Sequence, residues 1–157
     1  MYIVAWLILF GLLAAFFNDW IEQQYNPNRN ISKQSQNGQK ELILKPNRQH
    51  HYLSSGTINQ QPVVFLLDTG ATNVAIPAAL ATRLRLNKGR AITVQTANGL
   101  ARAYTTQIKS LGLGNIQLNN ISASINPGMD DGVVLLGMSA LRQLEFTQKG
   151  DLLILRQ

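Results

Sequence analysis

The sequence has no cysteine. A disulfide framework, a thiol nucleophile and a thiolate metal site are therefore excluded. Charge is scarce as well: Asp, Glu, Lys and Arg make up 14% of the 157 residues, a low share for a chain wholly in water. Histidine is limited to His50 and His51, which on a strand would face opposite sides. With no cysteine and no third histidine they do not make a zinc site. There is no G-x-S-x-G nucleophile elbow. "LGLGNIQ" (residues 111–117) fails the dinucleotide pattern at its last glycine, and no P-loop lysine motif occurs. "MDDG" (Met129–Gly132) lacks the other ligands of a calcium loop and reads as a solvated turn. No cofactor and no metal are expected.

The formal net charge is +6, from 14 Lys and Arg against 8 Asp and Glu. Those basic residues are scattered, and only Arg83, Arg85, Lys88 and Arg90 form a cluster. No aromatic residue is interleaved with them, whereas a nucleic-acid binder presents a continuous basic face with stacking side chains. Nucleic acid is not an expected partner. A binder driven by charge alone would lose affinity steeply with salt.

What the sequence does contain begins with one long apolar run. "MYIVAWLILFGLLAAFF" carries no charge before Asp19, and its length suits a short transmembrane helix. Tyr2, Trp6 and Trp20 fit interfacial positions. A cleavable signal peptide would have a basic start and small residues at a cut site. Neither is present, so residues 1–20 read as an uncleaved membrane anchor. Residues 21–48 are rich in Gln, Asn and Ser and read as a polar tether. "ELILKP" within them is an apolar island, either a first strand or a docking segment.

From residue 49 to 157 the pattern is β. Short apolar runs alternate with turn signals at Asn98-Gly99, Asn119-Asn120 and Lys149-Gly150. Two short helices are expected: "AALATRLRL" after Pro77, and "MSALRQL" after Gly137. The fold class is all-β, a small closed barrel or sandwich with one or two short helices behind an N-terminal transmembrane helix.

One stretch stands apart. In "VVFLLDTGAT" an apolar strand ends abruptly in a carboxylate, Asp68, followed by Thr69 and Gly70. A carboxylate there can cap a turn by accepting backbone N–H groups, or it can be held at a working site. Far downstream "VVLLG" repeats the theme of an apolar strand ending at a glycine, Gly137, before a helix.

Taken together, "FLLDTGAT" (Phe65–Thr72), "TANG" (Thr96–Gly99) and "VLLGMSAL" (Val134–Leu141) resemble the retropepsin-like aspartic proteases, in particular the bacterial membrane-anchored branch of that clan. The resemblance covers residues 49–157. Two departures are Gln60-Gln61, where the family commonly turns on a glycine, and Ala140, where a bulkier aromatic is usual.

The resemblance implies a membrane-anchored aspartic endopeptidase with Asp68 as catalyst. Two close carboxylates share one proton, because like charges a few ångströms apart do not both ionise easily. This chain has one such motif, which implies a homodimer with Asp68 from each copy on the two-fold axis. Thr69, Gly70 and Ala71 would support the catalytic loop. Thr96, Ala97, Asn98 and Gly99 would form a flap over an extended peptide substrate, and Gly137 would be the glycine of the second motif. Leu152–Leu155 would pair between subunits. The resemblance also implies an anchor in the bacterial inner membrane with the catalytic domain in the periplasm. The alternative is a domain of the same fold that binds peptides or pairs subunits without cutting.

Overall fold

The computed structural model describes residues 2–30, 34–36, 39–96, 99–130 and 132–157. The chain opens with helix α1, Tyr2–Tyr25. It is long and apolar enough to cross a membrane, and none of its apolar window is buried in the protein. Strands β1 (Gln34–Gln36) and β2 (Gln39–Leu44) follow, then β3 (Leu53–Ile58), β4 (Gln61–Leu67) and β5 (Val74–Pro77). Helix α2 spans Ala78–Arg83 and begins directly after Pro77. Strands β6 (Ala91–Thr96), β7 (Gly99–Leu113), β8 (Ile116–Asn126) and β9 (Val134–Leu136) lead to helix α3, Met138–Leu141, and the chain ends with β10 (Glu145–Lys149) and β11 (Leu152–Arg156).

Six strands close on themselves. The order β3-β4-β9-β5-β8-β7 returns to β3 through Thr57 opposite Gly112 and Ile58 opposite Leu111. The result is the closed barrel expected from the run of short strands, which leaves fewer open sheet edges. Strand β6 is added outside the ring, on β7. The seam is tight: a Cβ on Gly56 would lie 2.4 Å from the Gly112 carbonyl oxygen and 2.7 Å from the Phe65 ring. Only a residue without a side chain lets β3 cross there.

Inside the barrel, Ile58, Phe65, Ile76, Ile108, Leu111, Ile121, Ile125 and Leu136 are fully buried. Strand β4 explains the unbroken apolar run: Val63 and Phe65 are buried on one face, while Val64 and Leu66 are half-buried on the other. A strand covered on both faces has no polar alternation to show. It runs parallel to β9, with Leu67 opposite Leu136.

A second sheet has the order β1-β2-β11-β10. Residues 39–44, in the segment read as a tether, supply its strand β2, so the apolar island "ELIL" is a strand with Leu42 and Leu44 buried. Arg156 donates to the buried Glu41 carboxylate at 2.7 Å and ties β11 to β2.

Three expectations are corrected. Leu152–Leu155 lies between β2 and β10, so both of its edges are already paired within the chain. Asn119 and Asn120 lie inside β8, although Asn120 keeps a left-handed φ of 55°. The reversal comes earlier, at Gly114 and Asn115, between Leu113 and its partner Ile116. His50 and His51 sit in a turn rather than on a strand. Asn47 organises that turn, its Oδ1 accepting from the Gln49 and His51 amides.

The other turn signals hold. Gly150, with φ 59°, joins β10 to β11. Strands β6 and β7 form a hairpin with Thr96 opposite Gly99. The β3–β4 turn needs no glycine, because Asn59 and Gln60 both take left-handed φ. Asn59 is held there by its Oδ1, which accepts from the Lys109 and Ser110 amides.

Candidate active site

Asp68 is delivered by β4. The preceding Leu67 N–H donates to the Tyr52 carbonyl at 3.0 Å, and the Asp68 N–H donates to the Leu136 carbonyl of β9 at 3.2 Å. The carboxylate therefore emerges between two parallel strands whose apolar side chains anchor it from behind. Asp68 is half-buried, and Thr69 and Gly70 beyond it are exposed.

The carboxylate caps its own turn. The Gly70 N–H donates to Oδ1 at 2.9 Å, and the Ala71 N–H donates to the Asp68 carbonyl at 3.2 Å. Oδ2 has no hydrogen-bond partner and Asp68 no ion pair among the described residues. Turn capping thus uses one carboxylate oxygen and leaves the other free for chemistry.

Helix α3 holds the loop from the other side. Its N-cap, Gly137, has no side chain to satisfy the first amides, which need partners. The loop supplies them: Met138 N–H donates to the Ala71 carbonyl at 2.8 Å and Ser139 N–H to the Thr72 carbonyl at 2.9 Å. The approach excludes any side chain at Gly137. A Cβ there would sit 2.3 Å from the Asn73 oxygen and 2.6 Å from the Ala71 oxygen. Gly137 and Asp68–Ala71 are therefore one assembly, joined by backbone bonds. Ala140, three residues on, is fully buried.

Ser139 is a residue that sequence reasoning missed. It is buried, and its hydroxyl accepts from the Val74 N–H at 3.0 Å and donates to the Ser122 carbonyl at 2.7 Å. One side chain thus links the start of β5, where the Asp68 loop ends, to β8. A serine in a short helix carries no signal of this in one sequence, because its partners are backbone groups 65 and 17 residues away.

The expected flap is the β6–β7 hairpin. Thr96 Oγ1 donates to the Gly99 carbonyl at 2.8 Å, and Gly99 has φ 102°. Ala97 and Asn98 lie outside the described residues. Leu100, beside the tip, is 75% exposed. Thr96 ends β6 and Gly99 begins β7, whereas Asp68 follows β4.

A groove of about 790 Å³ lies at the far end of the barrel, lined by Asn59, Arg85, Gln107 and Lys109 among others. It is separated from Asp68 by the length of β4 and takes no part in this site. Arg85 is thus in the groove wall, while Lys88 lies over the Tyr104 ring at 5.1 Å. Among the described residues no ion pair joins the basic cluster to the Asp68 loop.

Comparison with known proteins adds to this geometry. Residues 54–143, from β3 through α3, match the family described as "gag-polyprotein putative aspartyl protease". A solved structure, a retropepsin-like aspartic protease from Rickettsia conorii, aligns with a TM-score of 0.61 at 28% identity, covering 81% of this chain and 94% of that one. An uncharacterized protein from the cobV 5' region of Sinorhizobium sp is 33% identical over 114 residues, 71% of this chain and 49% of its own length. An uncharacterized protein of Rickettsia prowazekii (strain Madrid E) is 33% identical over 119 residues, 73% of this chain and 51% of its own. The chain spans about half the length of the curated relatives it matches.

Proposed function

This chain belongs to the retropepsin-like aspartic proteases, and from that premise we propose that it is a membrane-anchored endopeptidase whose active site is completed by Asp68 of a second copy. The observation that carries the reading is the half-occupied carboxylate. Oδ1 of Asp68 is fixed by Gly70, while Oδ2 has no partner among the described residues, on a loop bonded to α3 and β9. Only one strand of this chain ends in Asp-Thr-Gly, and the mechanism needs two carboxyl groups.

With two Asp68 side chains facing each other, one takes a proton from a water between them as the water attacks the peptide carbonyl carbon. The other, protonated, donates to the carbonyl oxygen. Collapse of the tetrahedral intermediate breaks the C–N bond, and the amine leaves with a proton from the dyad. Rigid placement matters because catalysis is lost when reacting groups shift by about an ångström. The bonds from Gly70, Leu136, Met138 and Ser139 supply that rigidity in each half. In this reading Thr69, exposed beside Asp68, bonds across the two-fold axis, and Ala71 faces the substrate backbone. The β6–β7 hairpin, in which Thr96 stands opposite Gly99, closes over the peptide; Ala97 and Asn98, the other two expected flap residues, lie outside the described residues.

Helix α1 is the proposed anchor, through residues 1–20, with its polar end leading towards the catalytic domain. An inner-membrane anchor with the domain in the periplasm rests on that helix and on the family resemblance. Digestion of spheroplasts by added protease tests the orientation.

The proposal is tested with Asp68→Asn in the full-length protein. Loss of peptide hydrolysis with an unchanged circular dichroism spectrum supports it. Retained hydrolysis refutes Asp68 as catalyst. Peptide affinity without hydrolysis by the natural protein identifies a binding module instead.

A further inference from the structure

The first residues after α1, Asn26–Asn28, are not a spacer. Asn26, Asn28 and Asn47 are all buried, and a buried amide is stable only when its polar atoms are paired. Here their partners are on barrel strand β3, on Lys45 directly after β2, within the segment itself and at the end of α1. Asn28 Nδ2 donates to the Lys45 and Leu53 carbonyls at 2.8 and 2.6 Å, and its Oδ1 accepts from the Lys45 amide at 2.9 Å. Asn26 Nδ2 donates to Ser55 Oγ, and its Oδ1 accepts from the Asn28 amide. Asn47 Nδ2 donates to the Tyr25 carbonyl, at the last residue of the helix. Three exposed contacts add to this joint: Arg29 pairs with Asp19 and Glu22 at 3.1 Å each, and Arg48 lies 5.2 Å from the Trp20 ring. Helix and barrel are therefore joined directly, over three residues.

The joint grips the end of the barrel that carries Asp68. Leu53, whose carbonyl receives Asn28, stands opposite Leu66, two residues before Asp68. Counting cross-strand and along-strand spacings, Asp68 lies within about 20 Å of Asn28. The Asn59–Gln60 turn is at the other end of the same hairpin, about 20 Å further away.

We propose that the site acts on membrane-proximal segments: extended peptide bonds close to the transmembrane segment of another membrane protein on the same face. This rests on the anchored-endopeptidase reading above. The joint places Asp68 within about 30 Å of the bilayer edge, a distance that roughly nine extended residues span. A domain on a long flexible tether would have no such preference. A domain seated this low reaches short stalks and excludes bonds held high above the bilayer.

The full-length protein is reconstituted in phosphatidylethanolamine–phosphatidylglycerol vesicles with single-span substrates. Each carries the same cleavable peptide, either eight residues from the membrane or on top of a rigid helical spacer of forty residues. The low peptide is expected to be cut about tenfold faster or more, since a site that cannot span the gap has an effective concentration near zero. A rigid helical insert between Tyr25 and Asn26 reverses the preference and leaves cleavage of a free soluble peptide unchanged. Equal rates on low and high peptides overturn the proposal.

A second readout needs no activity. The chain lacks cysteine, so single labels at Thr72→Cys and Gln60→Cys report depth against headgroup nitroxide lipids. Stronger quenching at position 72 supports the low seating of the site, and equal or weaker quenching refutes it. If depth agrees and no peptide is cut by any form, the endopeptidase reading fails, and the substrate class proposed here falls with it.

Discussion

The Gly70 amide donates to Oδ1 of Asp68 across 2.9 Å, which orients the carboxylate within a single chain. Substituting Asp68 by Asn keeps an acceptor at Oδ1, so this bond survives. The expected outcome for Asp68→Asn is a melting temperature within a few degrees of the natural protein, as for a change worth under about 1 kcal/mol. Peptide hydrolysis falls to background. Differential scanning calorimetry and a fluorogenic peptide assay check the two halves separately.

Gly137→Ala adds a methyl group where backbone oxygens of Asn73 and Ala71 lie within 2.6 Å. Backbone must move, at a cost of about 1–3 kcal/mol by analogy with overpacked cores. The movement falls on the loop that holds Asp68. Urea denaturation should show the stability loss, and kcat should fall more than KM rises.

Ser139→Ala removes the acceptor of the buried Val74 amide and the donor to the Ser122 carbonyl. An unsatisfied buried group costs about 1–3 kcal/mol. Ser139 touches no substrate in this account and acts as a positioning residue. Its loss is expected to lower kcat, and Ser139→Thr, which keeps the hydroxyl, is expected to restore part of it. An equal fall in both variants would mean that packing, not the hydroxyl, matters there.

Arg156→Ala leaves the Glu41 carboxylate buried without its partner. Arg156 itself is about a third exposed, so the cost lies between those of surface and buried pairs, about 2 kcal/mol. Thermal unfolding of the full-length protein measures it. An unchanged melting temperature would show that β2 is not held to β11 by this pair.

Much of the structure around Asp68 was legible because its signals are local. An apolar run covered on both faces, a carboxylate and a glycine follow one another in Phe65–Gly70, and Gly137 stands where a strand meets a helix. The hairpins at Gly99 and Gly150 were legible for the same reason: left-handed φ leaves its mark on residue type. Asn119 and Asn120 bear the same mark inside a strand, where their pairing with β7 prevails over turn preference. Long-range partners left no trace. Asn26, Asn28 and Asn47 have the composition of a tether, and only their bonds to distant backbone groups make them part of the fold. The pairing of Leu152–Leu155 was misplaced because an apolar strand at a chain end does not announce which strand it meets. Ser139 was hidden in the same way.

The central claim is that one working site takes Asp68 from two copies. The most direct measurement is hydrolysis by the natural protein at a fixed, low concentration while Asp68→Asn protein is added in excess. The account predicts that activity falls towards zero as mixed pairs replace natural ones. Activity that stays constant, however much of the variant is added, would contradict it.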